Sequence, residues 1–269
     1  LFTPRWEEQA AFITPCIANY VSGPTGMVYN PGTALNEKYF NNFFVVEFVG
    51  NPTQSAIHAF TLKPKGATFE LEKTEKIATG VLPTGMDFSA DGDLYFADWI
   101  MGWGTKGYGR MWRMESKSKS LQAIQEETKE LLNSDFGPKN DSELQTLLEH
   151  QDLRVRRKSQ FELAKRGGKG ATVFENVLNT SSNQLARIHS IVGLSQLARL
   201  DDIKYAKLIL PALSDEDPEI RAQGAKWIGD IRYKEPADAL LKLLDDTNIR
   251  VQFFAAEALG RISYSDAAD

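Results

Sequence analysis

Between residues 83 and 114, aromatic and branched side chains alternate in part with polar ones, in short runs separated by glycine-bearing turns. This pattern predicts strands over residues 85–88, 93–98 and 109–114. The first turn carries Asp91-Gly92, two residues that tolerate positive φ. Such a meander is not stable alone and needs a sheet neighbour. The sequence supplies one: PTGM at 24–27 recurs at 83–86, 59 residues later. The first copy continues through Asn30-Pro31-Gly32, NFFVVEF at 42–48 and SAIHAFTL at 55–62, where the second has DLYFADW and GRMWRM. KPKG at 63–66 is predicted as a turn, and TFELEKTEKIAT at 68–79 as a polar edge strand whose charges deter unwanted pairing. Two units with one order of turn, strand, loop and strand mark radial repetition, as in β-propeller blades. A ring needs about four or more of them, so either the chain is a fragment of a longer protein or the two units pack as an open sheet pair.

After Met114 the period changes. Polar residues 115–120 lead into an amphipathic run at 121–132, predicted as an exposed helix, and 133–141 breaks it. From residue 142 the apolar spacing is helical and repeated. Asp152, Asn183, Asp217 and Asn248 begin matching segments spaced 31, 34 and 31 residues apart. Each precedes an apolar residue three positions on (Val155, Ala186, Ile220, Val251), and a second apolar residue recurs at Leu163, Leu194, Ile228 and Leu259. The Asp or Asn suits an N-cap, and the apolar positions suit burial against the next repeat. Arg156, Arg187 and Arg221 follow the first apolar position, and Gln252 departs from them, so the last repeat is expected to seat differently. The arginines are assigned to a polar seam between repeats, facing carboxylates or helix-end carbonyls. An earlier helix in each repeat is clearest at 144–150, 205–213 and 237–244. Helix pairs of this period stack into a solenoid.

The chain of 269 residues has 42% apolar residues, 25% charged residues and a formal net charge of −5. This is enough material for more than one core. The acidic balance argues against a nucleic-acid binder, and no run of about 18 apolar residues encodes a membrane span. The opening LFTPRWEEQAAF lacks the layout of a signal peptide. The single cysteine, Cys16, excludes an internal disulfide and a CxxCH haem motif in these residues, and reads as a small packing thiol. His58, His150 and His189 have no metal-ligand spacing and read as packing or capping groups; Asp91-Gly92-Asp93 lacks the spacing of a calcium loop. No metal is predicted.

The paired PTGM units, the DGDLYFADW and YGRMWR pair, and the helical segments DPEIRAQGAKWIGD and NIRVQFFAAEALGRI follow one another directly. The helical array resembles short bacterial HEAT repeats. The whole order resembles the bacterial membrane-bound-dehydrogenase-domain proteins, in which a propeller similar to glucose and sorbosone dehydrogenases precedes HEAT repeats, often with a C-terminal cytochrome c domain. The resemblance implies a β-then-α architecture: the closing blades of a propeller over 1–117, a helical linker over 118–141 and a HEAT solenoid over 142–269. It implies a fragment of a quinoprotein-like sugar or alcohol dehydrogenase, periplasmic or extracellular, with pyrroloquinoline quinone in the full-length parent and haem only on a downstream domain. The catalytic histidine of that family would lie on an earlier blade. The alternative is a non-catalytic propeller and HEAT protein that binds glycans or protein partners. A cytoplasmic HEAT adaptor would leave the strand repeat unexplained.

Candidate site residues are those facing a propeller channel. The loops there are expected to begin with PTG, and the resemblance points to Thr25, since a Pro-Thr turn in a similar position contributes to the quinone pocket of the glucose dehydrogenases. Glu47 and Asp98 end the two aromatic strands; they either bind a cation or sugar hydroxyl or cap the next turn. Trp99 and Trp103 either stack on a planar ligand or pack between blades. Arg110 and Arg113 are expected on one side of the last strand, opposite Met111, reaching a polar face or a quinone carboxylate. Lys106 reads as solvated loop.

Overall fold

The computed structural model describes residues 17–101, 107–200 and 202–264. Cys16, Trp103 and Lys106 lie outside them. Two compact units result, the first from residues up to Asn30, Leu35–Ser89 and Asp93–Lys117, the second from Pro31–Ala34, Ala90–Gly92 and the chain from Ser118.

Among the described residues, the first unit holds two antiparallel sheets and no closed barrel. One has four strands in chain order, β1 (Pro24–Tyr29), β2 (Phe43–Glu47), β3 (Ala56–Lys65) and β4 (Thr68–Thr79). The other has three, β5 (Pro83–Phe88), β6 (Leu94–Asp98) and β7 (Arg110–Met114). Alternation along the strands turns Phe44, Val46, Ile57 and Ala59 of the first sheet toward Leu94 and Phe96 of the second, and these form the core between them. β1 and β5 run side by side, close enough that a Cβ on Gly26 would lie 3.3 Å from the Gly85 Cα. These are the matching glycines of the two PTGM motifs, so the repeat packs on itself through its own equivalent positions.

The repeat extends into register. Pro24 pairs with Glu47 and Pro83 with Asp98, each followed by a local irregularity. The Phe48 amide donates to the Gly23 carbonyl at 3.1 Å, and the Trp99 amide to the Leu82 carbonyl at 2.8 Å. Two expectations need correction here. PTG does not open a loop in either copy, because both prolines sit at the first strand position, where a missing amide is tolerated. KPKG is not a turn: β3 runs on to Lys65, with Pro64 paired to Phe69, and the reversal falls at Gly66, whose φ of +58° suits glycine. β4 is the sheet's edge, as its alternating charges indicate.

The second unit is helical. After α1 (Gln122–Asn133) come α2 (Asp141–Leu147), α3 (Leu153–Lys165), α4 (Gly168–Thr180), α5 (Gln184–Leu200), a 3₁₀ segment (Ile203–Ser214) containing Pro211, α6 (Pro218–Asp230), α7 (Ala237–Lys242) and α8 (Ile249–Arg261). The side chains of Asp152, Asn183, Asp217 and Asn248 accept first-turn amides of α3, α5, α6 and α8 at about 3 Å, as N-caps do. Val155, Ala186, Ile220 and Val251 are fully buried, as are Leu163, Leu194 and Ile228, with Leu259 nearly so. α4 escapes a reading by composition because it begins Gly-Lys-Gly. Gly170 is there for packing, since a Cβ would fall 1.9 Å from the Leu163 carbonyl oxygen. α1 is not simply exposed: Gln125 and Thr128 are buried, and Gln125 Nε2 donates to the Thr33 carbonyl at 2.8 Å. Thr33 also donates from Oγ1 to the fully buried Asp152 at 2.6 Å, so the Pro31–Ala34 segment is tied into the first repeat.

Candidate functional site

The strand ends of the first unit carry its most organised polar chemistry. Glu47 closes β2, and its Oε2 lies 2.8 Å from Nε2 of His58 on β3, while Oε1 accepts the Ser22 amide at 3.2 Å. Tyr20 Oη lies 3.2 Å from His58 Nδ1, and the two rings meet edge to face. One tautomer serves both contacts, with the tyrosine donating to Nδ1 and the protonated Nε2 donating to Glu47. Burial pushes the Glu47 carboxyl up, but the bonds from His58 and Ser22 outweigh it and leave the group below its ordinary range.

Asp98 closes β6 in the same way. Its Oδ1 accepts the Leu82 amide at 3.0 Å and the Ile100 amide at 2.8 Å, and Oδ2 accepts Trp112 Nε1 at 3.0 Å. Burial again raises this carboxyl, and the three donors more than compensate, so its pKa is lowered. Because Glu47 pairs with Ala56 and Asp98 with Arg110, His58 and Trp112 hold matching places two residues along. Each repeat therefore has a carboxylate at the end of its second strand, clamped by a ring nitrogen of the third strand and by backbone amides. Sequence comparison could not show this, because histidine and tryptophan share only the ring N–H.

Around Asp98 lies a concavity of about 360 Å³, lined by Thr84, Asp98, Trp99, Tyr108, Arg110 and Met111 among others. Trp99 is exposed, and the Arg110 guanidinium lies 5.9 Å from the Trp112 ring centroid. Of the expected site residues, Asp98, Trp99 and Arg110 come together here. Thr25 lies exposed on β1, with its counterpart Thr84 in the concavity, and Glu47 belongs to the first sheet's own clamp. Arg113 is elsewhere, and its expected position needs correction. It lies three positions from Arg110, so a strand of period two places the pair on opposite faces. Arg113 shares its face with Met111 and donates to Asp93 Oδ2 at 2.6 Å. A larger depression of about 630 Å³ beside Tyr39 and β4 has polar walls that pair with one another, Lys38 with Glu75 and Thr61 with Glu72.

In the helical unit the recurrent arginines form the seam expected of them. Arg156 donates to the carbonyls of His150 and Gln151, Arg221 to that of Asp215 and to both Asp246 oxygens, and Arg187 to Asp215 and the Leu178 carbonyl. Gln252 does not mark a differently seated repeat. Its Nε2 donates to the Asp246 carbonyl, six residues back, as Arg156 and Arg221 do to theirs. Arg187 is the exception: it reaches the Leu178 carbonyl, nine residues back, and bridges to Asp215. The histidines outside the sheets are also engaged: His150 Nδ1 accepts the Asp152 amide, and His189 Nδ1 lies 2.7 Å from Gln160 Oε1. Among the described residues, no group of three or more His, Cys, Asp or Glu side chains could hold a metal ion. No helix there is long and apolar enough to cross a membrane.

Residues 206–269 match the protein family described as HEAT repeats. This stretch covers the last two helix pairs, and the two before it share their caps, buried positions and seam. No curated protein matches the chain. The helical region thus contains HEAT repeats, the kind of array that serves protein–protein interaction.

Proposed function

We propose that the two sheets are successive blades of a propeller-like array and that the chain works as a binding protein, the sheets presenting a recognition surface and the HEAT array docking a protein partner. One comparison carries the blade reading. Phe44, Val46 and Ile57 are fully buried between the sheets, while their counterparts on the outer face of the second sheet include Tyr95, 36% exposed, and Met111, 67% exposed. Positions that are core one repeat earlier, carrying exposed Tyr95 and Met111 here, suit a face that receives a further sheet. In the full-length protein, a Met111→Cys probe in a Cys16→Ser background should resist maleimide, while in this chain it should label readily. Equal labelling in both would remove the blade reading.

Binding is favoured over catalysis because the ordered carboxylates are committed. Glu47 and Asp98 satisfy backbone amides and ring nitrogens, which leaves neither poised as a general base. The concavity near Trp99, Tyr108 and Arg110 offers flat apolar walls with one cation at the rim, a combination suited to a sugar ring or a peptide side chain. A glycan array probed with the full-length protein, alongside its Trp99→Ala variant, tests this; binding unaffected by the substitution would place recognition elsewhere.

The dehydrogenase reading rests on the order of the strand repeat and HEAT repeats. The residues of this chain do not by themselves fit pyrroloquinoline quinone: the anionic Asp98 lies in the concavity, Glu47 sits in a separate clamp, and Arg113 is on the opposite face from Arg110. Anaerobic titration of the full-length protein with the quinone and calcium, followed by dye reduction over sugars and alcohols, decides it. Turnover lost on Arg110→Ala would support a quinone-dependent oxidoreductase; its periplasmic or extracellular location rests on the resemblance alone, and any haem would belong to another domain.

A further inference from the structure

The chain just past Asp98 is held in a conformation that its residues do not favour. Ile100 has a φ of +76°, in the left-handed region, where a β-branched residue is strained. The Met101 amide donates to the Trp99 carbonyl at 3.1 Å, and the Ile100 amide donates to Asp98 Oδ1 at 2.8 Å, so a tight three-residue turn stands on the buried carboxylate. The Trp99 amide is tied in turn to the Leu82 carbonyl at 2.8 Å. The first repeat makes its positive-φ turn at Gly50, three residues past Glu47, where glycine adopts it freely. The second repeat keeps the strain. Its result is a Trp99 backbone pinned on both sides, with the indole exposed in the wall of the concavity.

The polar side chains of that wall match one kind of ligand. Both Asp98 oxygens are occupied, by the Leu82 and Ile100 amides and the Trp112 indole. Trp99 Nε1, the Arg110 guanidinium and the hydroxyls of Thr84 and Tyr108 make no hydrogen bond to a described residue. The free groups are therefore rich in donors and poor in acceptors. Each hydroxyl of a sugar would bring a further donor in need of an acceptor, and an oxyanion would lie beside the ionised Asp98. A proline-rich segment brings carbonyls without N–H groups, flat apolar rings, and an extended helix already formed before it binds. We propose that the concavity binds a proline-rich segment in the polyproline II conformation, one proline packing on the Trp99 ring while carbonyls of the segment accept from Trp99 Nε1 and Arg110. The inference rests on the binding reading of this concavity and names its ligand class. Asp98 and Ile100 are positioning residues, since they fix the tryptophan that touches the ligand; a wall and a ligand that are both rigid beforehand lose little freedom on binding. Trp99 and Tyr108 lie between β6 and β7, and Arg110 is on the opposite side of β7 from Met111, so none of them belongs to the face that a further sheet would cover.

Isothermal titration of the full-length protein with an end-blocked decaproline peptide should give saturable binding. An end-blocked decapeptide of alternating glycine and serine, which has the carbonyls without the rings or the fixed φ, should give none. Trp99→Ala should lower the affinity about tenfold or more, as loss of a central aromatic anchor does, and Tyr108→Ala probes the same wall where the first variant folds poorly. Ile100→Gly relieves the strained φ, so it should keep the melting temperature and still weaken the peptide, because the tryptophan is no longer fixed. Absence of decaproline binding overturns the proposal, as does binding that Trp99→Ala and Tyr108→Ala both leave unchanged. Cellohexaose separates this from the reading beneath it. If that neutral glycan binds in a Trp99-dependent way where decaproline does not, only the proline assignment fails; if neither binds and no glycan on the array depends on Trp99, recognition at the concavity fails with it.

Discussion

Trp112 Nε1 donates to Asp98 Oδ2 at 3.0 Å, in the same place in its repeat where His58 Nε2 meets Glu47 Oε2 at 2.8 Å. The clamp is therefore indifferent to which ring supplies the nitrogen and demanding about the nitrogen itself. Trp112→Phe keeps most of the ring and removes the donor. It should destabilise the first unit by about 1.5–3 kcal/mol, the range for a lost hydrogen bond to a charged acceptor, whereas Trp112→His, which restores a ring N–H, should recover part of that. Denaturant midpoints followed by near-ultraviolet dichroism, and by tryptophan fluorescence in a Trp227→Phe background that confines the signal to residues before the helical unit, measure both.

The paired glycines give a second test. A side chain at Gly26 meets the backbone of β5 at Gly85, and neither strand can yield without moving a sheet. Gly26→Val should cost about 1–3 kcal/mol as an overpacking change, while Gly85→Val, at a position where φ is not positive and nothing lies within 4 Å of an added Cβ, should cost less. Thermal unfolding of the two variants should rank them in that order.

Much of this was legible beforehand because the repeats state it more than once. The caps Asp152, Asn183, Asp217 and Asn248 and their buried partners are found where the spacing puts them, since capping and core positions are local and periodic. The strand order was readable for the same reason. What escaped was chemistry carried between strands. That His58 and Trp112 are one position follows only from the register, in which Glu47 pairs with Ala56 and Asp98 with Arg110. The placing of Arg110 and Arg113 on one side ignored the two-residue period of a strand. Gln252 looked like a departure because its charge differs from arginine, yet the seam asks for an N–H directed at a carbonyl, and an amide supplies it.

The seam makes its own prediction. Arg221 bridges to both oxygens of Asp246 and to the Asp215 carbonyl, and both partners are largely buried. Asp246 also accepts the Asn248 amide, and the bond from Arg221 is the chief cause of its lowered pKa. Arg221→Ala strands a buried carboxylate, so a loss of about 3–5 kcal/mol is expected; Gln252→Arg, at the position where an amide already serves, should change stability little. Urea unfolding monitored by helical dichroism distinguishes the two. Equal effects would mean that the seam is packing alone.

Acid should loosen the helical unit before it reaches the carboxylates, and His189 is the reason. Burial, with the nearby Arg156 and Arg157 guanidinium groups, lowers its pKa from 6.5 to about 4. The folded state therefore holds a neutral imidazole where the unfolded chain would be protonated. Between pH 6.5 and 4 the unfolded state binds the extra proton, so stability rises with pH; the contribution is complete above pH 6.5 and is lost as pH falls through that window. At pH 5 the linkage amounts to about 2 kcal/mol relative to neutral pH. His189→Gln keeps a polar group facing Gln160 Oε1 and removes the titration. Its stability at pH 7 should fall modestly, and the slope between pH 7 and 5 should flatten against that of the parent chain. An unchanged slope would assign the acid sensitivity to other groups, His150 foremost, since burial lowers its pKa as well.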